Sequence, residues 1–445
     1  MPRLPVWLLI FVGLVCVQSP AQAPSAQAAK PAITLEDALK LAQNNEPTFA
    51  AAVAESRATA LQRADARAAL LPSVALHNQY LYTQSNRSKA ATTQGTVSDS
   101  LPIFIANNAV HEYISQGTVN ETVGLGAVAA ARLAGANAAR AQAELEITRR
   151  GLVAAVVQLF YSVRSGGEKL AVAQRALAEA SHFVDITQKR ETAGESAHAD
   201  VIKARLGQQQ RERELGDAVL AQEKANLELG VLLYADPRTD FTLAEDTEAP
   251  ILPDRKDVET AAGSNSPEVR SALASLKAGQ AETLNSLGGL LPDLSLNYTY
   301  GIDAPQFSSY GPGGVRNLGY SASATVDLPI WDWFTSERKI KEARLRADAG
   351  KVALTSAQRH LLANIEEFYH EAETAQQQMA SLEASVTDAR EAMRLTNLRY
   401  VNGESTVLDV VDAQNTLVTS ENARADGVVR YRLALAQLET LTGRL

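Results

Sequence analysis

The 445-residue chain has a single cysteine, Cys16, and it lies in an apolar stretch at the N-terminus. Past that stretch there is neither a thiol nor a disulfide, which excludes cysteine nucleophiles, thiolate metal sites and a disulfide-stapled fold. Aromatic residues make up only 5% of the chain, and proline is absent between Pro102 and Pro237 and again after Pro329. Such long stretches without a helix breaker favour very long helices over a compact α/β enzyme. Positive charge is in deficit: 42 Lys and Arg stand against 51 Asp and Glu, a net charge of −9. No basic surface is left to hold a phosphate backbone, so nucleic acid is excluded as a partner. Beyond the N-terminus no apolar run reaches about 18 residues, the length a membrane-spanning helix needs.

Catalytic signatures are missing too. There is no Gly-x-Ser-x-Gly, no phosphate loop and no Cys pair, and His111-Glu112 lacks the second histidine of a zinc-protease helix. His77, His111, His182, His198, His360 and His370 are scattered without ligand spacing, so neither a metal nor a cofactor is expected.

What is present begins with an export signal. Arg3 supplies the positive region, Val6 to Val17 the apolar core, and Ala21-Gln22-Ala23 a small-residue cleavage site, which predicts a signal peptide over 1–23. Val15 stands before Cys16 where lipidation signals want a small residue.

The remainder is written twice. A shift of 220 residues places Asn45-Glu46-Pro47 on Asn265-Ser266-Pro267 and Leu70-Leu71-Pro72 on Leu290-Leu291-Pro292. A shift of 209 places Thr187, Arg190, Gly194-Glu195-Ser196 and Asp200-Val201 on Thr396, Arg399, Gly403-Glu404-Ser405 and Asp409-Val410. The predicted organisation is a first repeat over 24–234, an irregular proline-bearing connector over 235–266 and a second repeat over 267–445. The likeness of Leu101-Pro102-Ile103-Phe104 to Leu328-Pro329-Ile330-Trp331 does not fit either shift and is read as coincidence.

Each repeat has the same order. After Thr34, a predicted N-cap, come a short helix to Asn44-Asn45 and an Ala-rich helix from Pro47 to Leu71. The period then changes to two. Leu294, Leu296, Tyr298, Tyr300 and Ile302 share one strand face, and Leu318, Tyr320, Ala322, Ala324, Val326 and Leu328 share that of a second strand. Val74, Leu76, Tyr80 and Tyr82 mark a first-repeat strand, whereas its partner over Val110 to Val119 alternates poorly. Leu145, Leu152, Val156, Leu159 and Val163 restore a helical period in a run to Glu191, a rod of about 100 Å. The rod breaks at Gly194 and returns to Tyr234, so that two shorter helices end to end match one long one.

Four amphipathic strands with tyrosines on the apolar face leave open edges, and the smallest membrane barrels use about eight strands. Several chains must therefore share one barrel. A small soluble sheet on a coiled-coil stalk is the alternative.

Thr34-Leu35-Glu36-Asp37-Ala38, the two Leu-Pro strand entries, Tyr400-Val401-Asn402-Gly403-Glu404-Ser405 and Asp409-Val410-Val411-Asp412-Ala413, taken in order, resemble the TolC-like outer-membrane efflux protein family. The resemblance implies a mainly α fold, a long α-helical barrel of coiled-coil hairpins, plus four β-strands per chain in a shared 12-stranded trimeric β-barrel. It implies a homotrimer in outer-membrane lipid, extending into the periplasm, and a passive exit duct docked by a membrane-fusion adaptor protein and an inner-membrane pump. It also implies site residues: Asp409 and Asp412 as the pore constriction, Asp200 and Tyr400 as the periplasmic gate link, and Gly194 and Gly403 in the helix-tip turns. Two positions depart from the family pattern. Ser405 replaces an arginine that can supply part of the link, and Glu191 stands where an aromatic can occur. Lys203 is the repeat partner of Asp412, which makes an ion pair between them conceivable but unproven. On this reading neither aspartate is needed to hold the fold, and crowding of six carboxylates raises some of their pKa values. The competing function is a structural periplasmic coiled-coil protein that tethers envelope layers.

Overall fold

The computed structural model describes residues 32–82, 111–244 and 251–444. The expected signal peptide with Cys16, the Leu101 to Phe104 segment and Val110 lie outside the described residues. A two-residue strand, β1 (Ala32–Ile33), leads into α1 (Leu35–Asn45). Thr34 starts this helix with a capping box: its hydroxyl accepts from the Asp37 N–H at 3.1 Å, and the Asp37 carboxylate accepts from the Thr34 N–H at 3.3 Å. The second helix, α2 (Pro47–Ala68), opens on a proline whose missing N–H is no loss at that position. It stops three residues before the predicted Leu71. Pro72 disfavours helical geometry just ahead of it, and Leu70 and Leu71 close instead on Arg67 and Ala68 in tighter turns.

The order continues with β2 (Ser73–Tyr82), β3 (His111–Val123), α3 (Leu125–Thr192), α4 (His198–Leu233) and the short β4 (Thr242–Leu243), which pairs in parallel with β1. It then recurs as α5 (Arg255–Asn265), α6 (Pro267–Gly288), β5 (Asp293–Ala304), β6 (Leu318–Asp327), α7 (Thr335–Val401) and α8 (Val407–Thr442). At about 1.5 Å per residue, α3 and α7 are rods of about 100 Å. Both α2 and α4 lie along α3, and both α6 and α8 along α7; α6 and α8 also touch α3, which is the central rod. Small residues permit this closeness: a Cβ on Gly279 of α6 would stand 2.9 Å from the Cα of Ala347 on α7.

Where short helices meet long ones, Ile33, Ala38, Ala42, Val156, Phe160, Leu229 and Leu233 form a buried core. Beside it the buried Arg150 of α3 gathers three elements. Its guanidinium donates to the Leu441 carbonyl of α8 and the Asn265 carbonyl of α5, each at 3.0 Å, and to Glu146 at 2.9 Å. Those carbonyls are negative helix ends, so a fixed cation completes them. The two halves correspond in detail here: Asn45 donates to the Leu233 carbonyl, and Asn265 donates to the Thr442 carbonyl.

The larger sheet is antiparallel in the order β2-β3-β5-β6, with β2 and β6 as edges. Its register aligns Val74 with Val119, Val119 with Tyr298 and Tyr298 with Ala322. One face therefore collects Val74, Leu76, Tyr80 and Tyr82, Tyr113 and Val119, Leu294 to Ile302 at alternate positions, and Tyr320 with Val326. These side chains are largely exposed; Leu76 retains 73% of its surface and Tyr320 76%. The other face carries His77, Gln79, Thr118, Asn120, Asn297, Thr299 and Ser321. The strand β3 runs beyond the predicted Val119, and its weak pattern has a local cause. Ser115 and Gly117 sit on the apolar face, where the Ser115 hydroxyl donates to Asn78 at 2.7 Å, so the polar pair satisfies itself.

Candidate gate at the paired hairpin tips

Both long hairpins turn by the same device. The N–H of Glu195 donates to the Arg190 carbonyl and that of Gly194 to Glu191; Glu404 and Gly403 repeat this on Arg399 and Tyr400. The motif needs a left-handed residue at its centre, and Gly194 and Gly403 both have φ of +78°. The helices that leave the two turns start differently. Thr406 caps α8 through a capping box: the Asp409 carboxylate accepts from the Thr406 N–H at 2.7 Å, the Thr406 hydroxyl at 2.8 Å and the Ser405 hydroxyl at 2.9 Å. Its repeat mate Ala197 offers α4 no side-chain cap.

This geometry corrects one expectation. Asp409 does hold local structure, because its carboxylate completes the start of α8. Within the chain, the Thr406 backbone N–H, followed by the Thr406 and Ser405 hydroxyls, holds its pKa below the usual carboxylate value. Asp412 lies exposed one turn further on. An ion pair between Asp412 and Lys203 is not among those formed by the described residues. Lys203 instead lines a cleft between α4 and α8 with Leu206, Gly207, Val407 and Val411.

Tyr400 is 5% exposed and packs inside the chain, edge-on to Phe183 at 5.0 Å. Its hydroxyl donates to Thr187 at 3.3 Å, and the Arg190 guanidinium covers its ring at 5.1 Å. Arg190 also donates to the carbonyls of Tyr400 and, at 2.9 Å, Val401. Asp200 is half-buried on α4, within 3.5 Å of the donating Ser196 hydroxyl. Asp200 and Tyr400 are thus not brought together within one chain; Tyr400 is joined to α3 through Arg190 and Thr187.

Above the tips, charged residues unremarked in the sequence tie the hairpins together. Glu421 of α8 accepts from Arg175 of α3 at 3.0 Å and from Arg390 of α7 at 2.6 Å, and Lys169 pairs with Asp426 at 2.5 Å. Buried Arg211 of α4 donates to Asn415 of α8. Burial, then the nearby Glu421 charge, raises the Glu179 pKa. Among the described residues no cluster of His, Cys, Asp and Glu could hold a metal ion, and no helix is long and apolar enough to cross a membrane.

Comparison with known proteins places this architecture. The family described as "Outer membrane efflux protein" matches residues 260–444. Residues 260–444 are thus similar to the outer membrane efflux family. Protein CyaE of Bordetella pertussis is 26% identical over 422 residues, 92% of this chain and 82% of that protein. Outer membrane protein OprJ of Pseudomonas aeruginosa is 25% identical over 311 residues, 69% of this chain and 63% of OprJ. The fold is shared with the outer membrane protein VceC of Vibrio cholerae at a TM-score of 0.76 and 17% identity, covering 92% of this chain and 96% of VceC. The matching family is described by outer membrane efflux, and OprJ and VceC are both outer membrane proteins.

Proposed function

We propose that three copies of this chain form the passive exit duct of a tripartite efflux or secretion system. The observation that carries the reading is the sheet: four strands with one continuous exposed apolar face and two open edges, mounted on rods of about 100 Å. Open edges do not persist in lipid, because each unpaired backbone group there lacks a partner. Joining β2 of one chain to β6 of the next closes a twelve-stranded barrel, with the apolar face toward lipid and the polar face toward the lumen. The helices then continue the duct through the periplasm, where an adaptor protein and an inner-membrane pump dock. The chemistry is transport without catalysis.

In this assembly Gly194 and Gly403 turn the periplasmic tips, Asp409 and Asp412 line the constriction, and Asp200 and Tyr400 belong to the link that holds it closed. A signal peptide over 1–23 and two repeats fit the same plan, except that the second repeat begins at α5 (Arg255–Asn265), inside the stretch expected as an irregular connector over 235–266 and ahead of the repeat start expected at 267. Supporting it is the match of element order and of the Asn45 and Asn265 bonds between halves. The test is the mass of the protein in mild detergent combined with conductance in planar bilayers. A trimer that conducts supports the duct. A protein released from membranes without detergent, with no conductance, would instead be the envelope tether.

A further inference from the structure

Beside the contacts that Arg190 makes at the tip, α3 and α7 stand apart and leave a cleft of about 360 Å³, a volume that suits a small molecule. Its walls are mostly apolar: Phe183 and Ile186 of α3 on one side, Met393, Leu398 and Tyr400 of α7 on the other. The helix α8 contributes one residue, Gln414. That residue is 6% exposed, and its Nε2 is shut off from solvent without a hydrogen-bond partner among the described residues. Buried polar groups are ordinarily paired. A donor left in this state calls for an acceptor that the chain itself does not supply.

A second unmet group lies on the same lining. Glu179 of α3 forms neither an ion pair nor a hydrogen bond among the described residues. Burial, then the charge of Glu421, disfavours its ionised form, and Arg175 and Arg211 offset this only in part. A cation placed beside it would therefore be welcome. The one arginine on the lining, Arg394, is already held by Glu391 at 2.7 Å.

An apolar slot with one buried donor and one unpaired acid complements a single chemical class. Rings fit against Phe183 and Tyr400, an acceptor oxygen meets the Gln414 amide, and an ammonium group meets Glu179. We propose that this cleft binds apolar, ring-bearing organic amines that also carry a hydrogen-bond acceptor, and that an occupant holds the tip closed. The binding site stands on the cleft alone; the closing effect rests on the duct reading above. Gln414 is two residues from Asp412, about 200° around the helix. With Asp412 toward the lumen, the cleft therefore opens on the far side of α8. An occupant there touches both α3 and α7 while they are fastened, and it loses one wall when they part, so binding favours the closed arrangement.

The probe is dansylcadaverine, a naphthalene sulfonamide with a primary amine on a pentyl chain. Its N-acetyl derivative keeps the rings and the sulfonyl oxygens but lacks the charge. With the full protein in lipid nanodiscs, both are expected to give a saturable rise in anisotropy beyond that of empty discs. Glu179→Gln should weaken dansylcadaverine about tenfold and leave the acetylated probe unaffected. Gln414→Leu, an apolar replacement of similar shape, should weaken both about tenfold. Binding no greater than in empty discs, or indifferent to both substitutions, would overturn the site. Sensitivity to Gln414→Leu without sensitivity to Glu179→Gln would overturn the preference for amines.

Planar-bilayer recording tests the closing effect. Dansylcadaverine on the periplasmic side is expected to lower the open fraction of the wild-type channel and of Asp412→Asn, but not of Gln414→Leu. Inhibition that Asp412→Asn abolishes and Gln414→Leu retains would overturn the closing effect, since the amine would then be plugging the constriction. Protein that binds the probe as described yet never conducts would overturn the duct reading and leave the binding site standing.

Discussion

Arg190, in the last turn of α3, donates to the Val401 carbonyl at the end of α7 at 2.9 Å, so one hairpin tip is fastened to the other within a single chain. The same guanidinium lies over the Tyr400 ring. Replacing Arg190 with Gln removes charge-assisted bonds of about 1.5–3 kcal/mol each from a site with little other cross-hairpin bonding. The expected outcome is a larger single-channel conductance and faster amide exchange at 398–404. Tyr400→Phe, which loses only the bond to Thr187, should show a smaller effect of the same sign.

The constriction needs a variant that separates charge from capping. Asp409→Ala removes both, whereas Asp412→Asn removes charge alone. Single-channel recording of Asp412→Asn should show weaker cation selectivity and weaker block by multivalent cations added from the periplasmic side, with trimer yield unchanged. Unaltered selectivity would return Asp412 to a solvated helix face. Thr406→Ala, which strips the same cap without touching charge, should cost about 1 kcal/mol and fray the start of α8 with selectivity intact.

Glu146 and Asp409 are among the carboxylates whose pKa is depressed, and each makes stability depend on pH. Glu146, bonded first by Arg149 and also by Arg150, has its pKa lowered to about 2. A carboxylate lowered in the folded state adds stability that is complete above its unfolded value near 4.5 and is lost as pH falls through about 2. Asp409 has the same sign. Acid titration monitored by circular dichroism should therefore show native helix content held through pH 4.5, with weakening only below it. Arg150→Met should lower stability by about 3 kcal/mol, since it strands two helix-end carbonyls and half of the Glu146 pairing.

A charge on the apolar sheet face tests the barrel. Tyr298→Lys or Tyr300→Lys should reduce trimer yield, because a lysine near the midplane costs about 2–4 kcal/mol. Lysine at Thr299, on the opposite face, should assemble and alter conductance instead.

These residues also show what a sequence exposes and what it hides. The second-repeat strands are legible because Leu294 to Ile302 alternate without interruption, and the long helices because no proline breaks them. β3 is obscured by Ser115 and Gly117, whose polarity is answered by Asn78 on another strand. The cap at Asp409 is visible in principle, as Thr406 stands three residues before it. The family likeness masks it by giving Asp409 a lumenal role instead. Arg190 and Glu421 cannot be read at all. The partners that join Arg190 to α7 and Glu421 to α3 and α7 lie more than 30 residues away in sequence, so these bonds exist only once α3, α7 and α8 are side by side.

The bare edges of β2 and β6 have a genetic consequence. In the proposed trimer every subunit must both offer and receive an edge, so one subunit defective in either spoils a whole barrel. Where a defective allele supplies half of the chains and assembly is random, only about one duct in eight is free of it. Edge-strand mutations in this protein should therefore behave as dominant negatives, whereas mutations that unfold the chain before it meets its neighbours should be recessive.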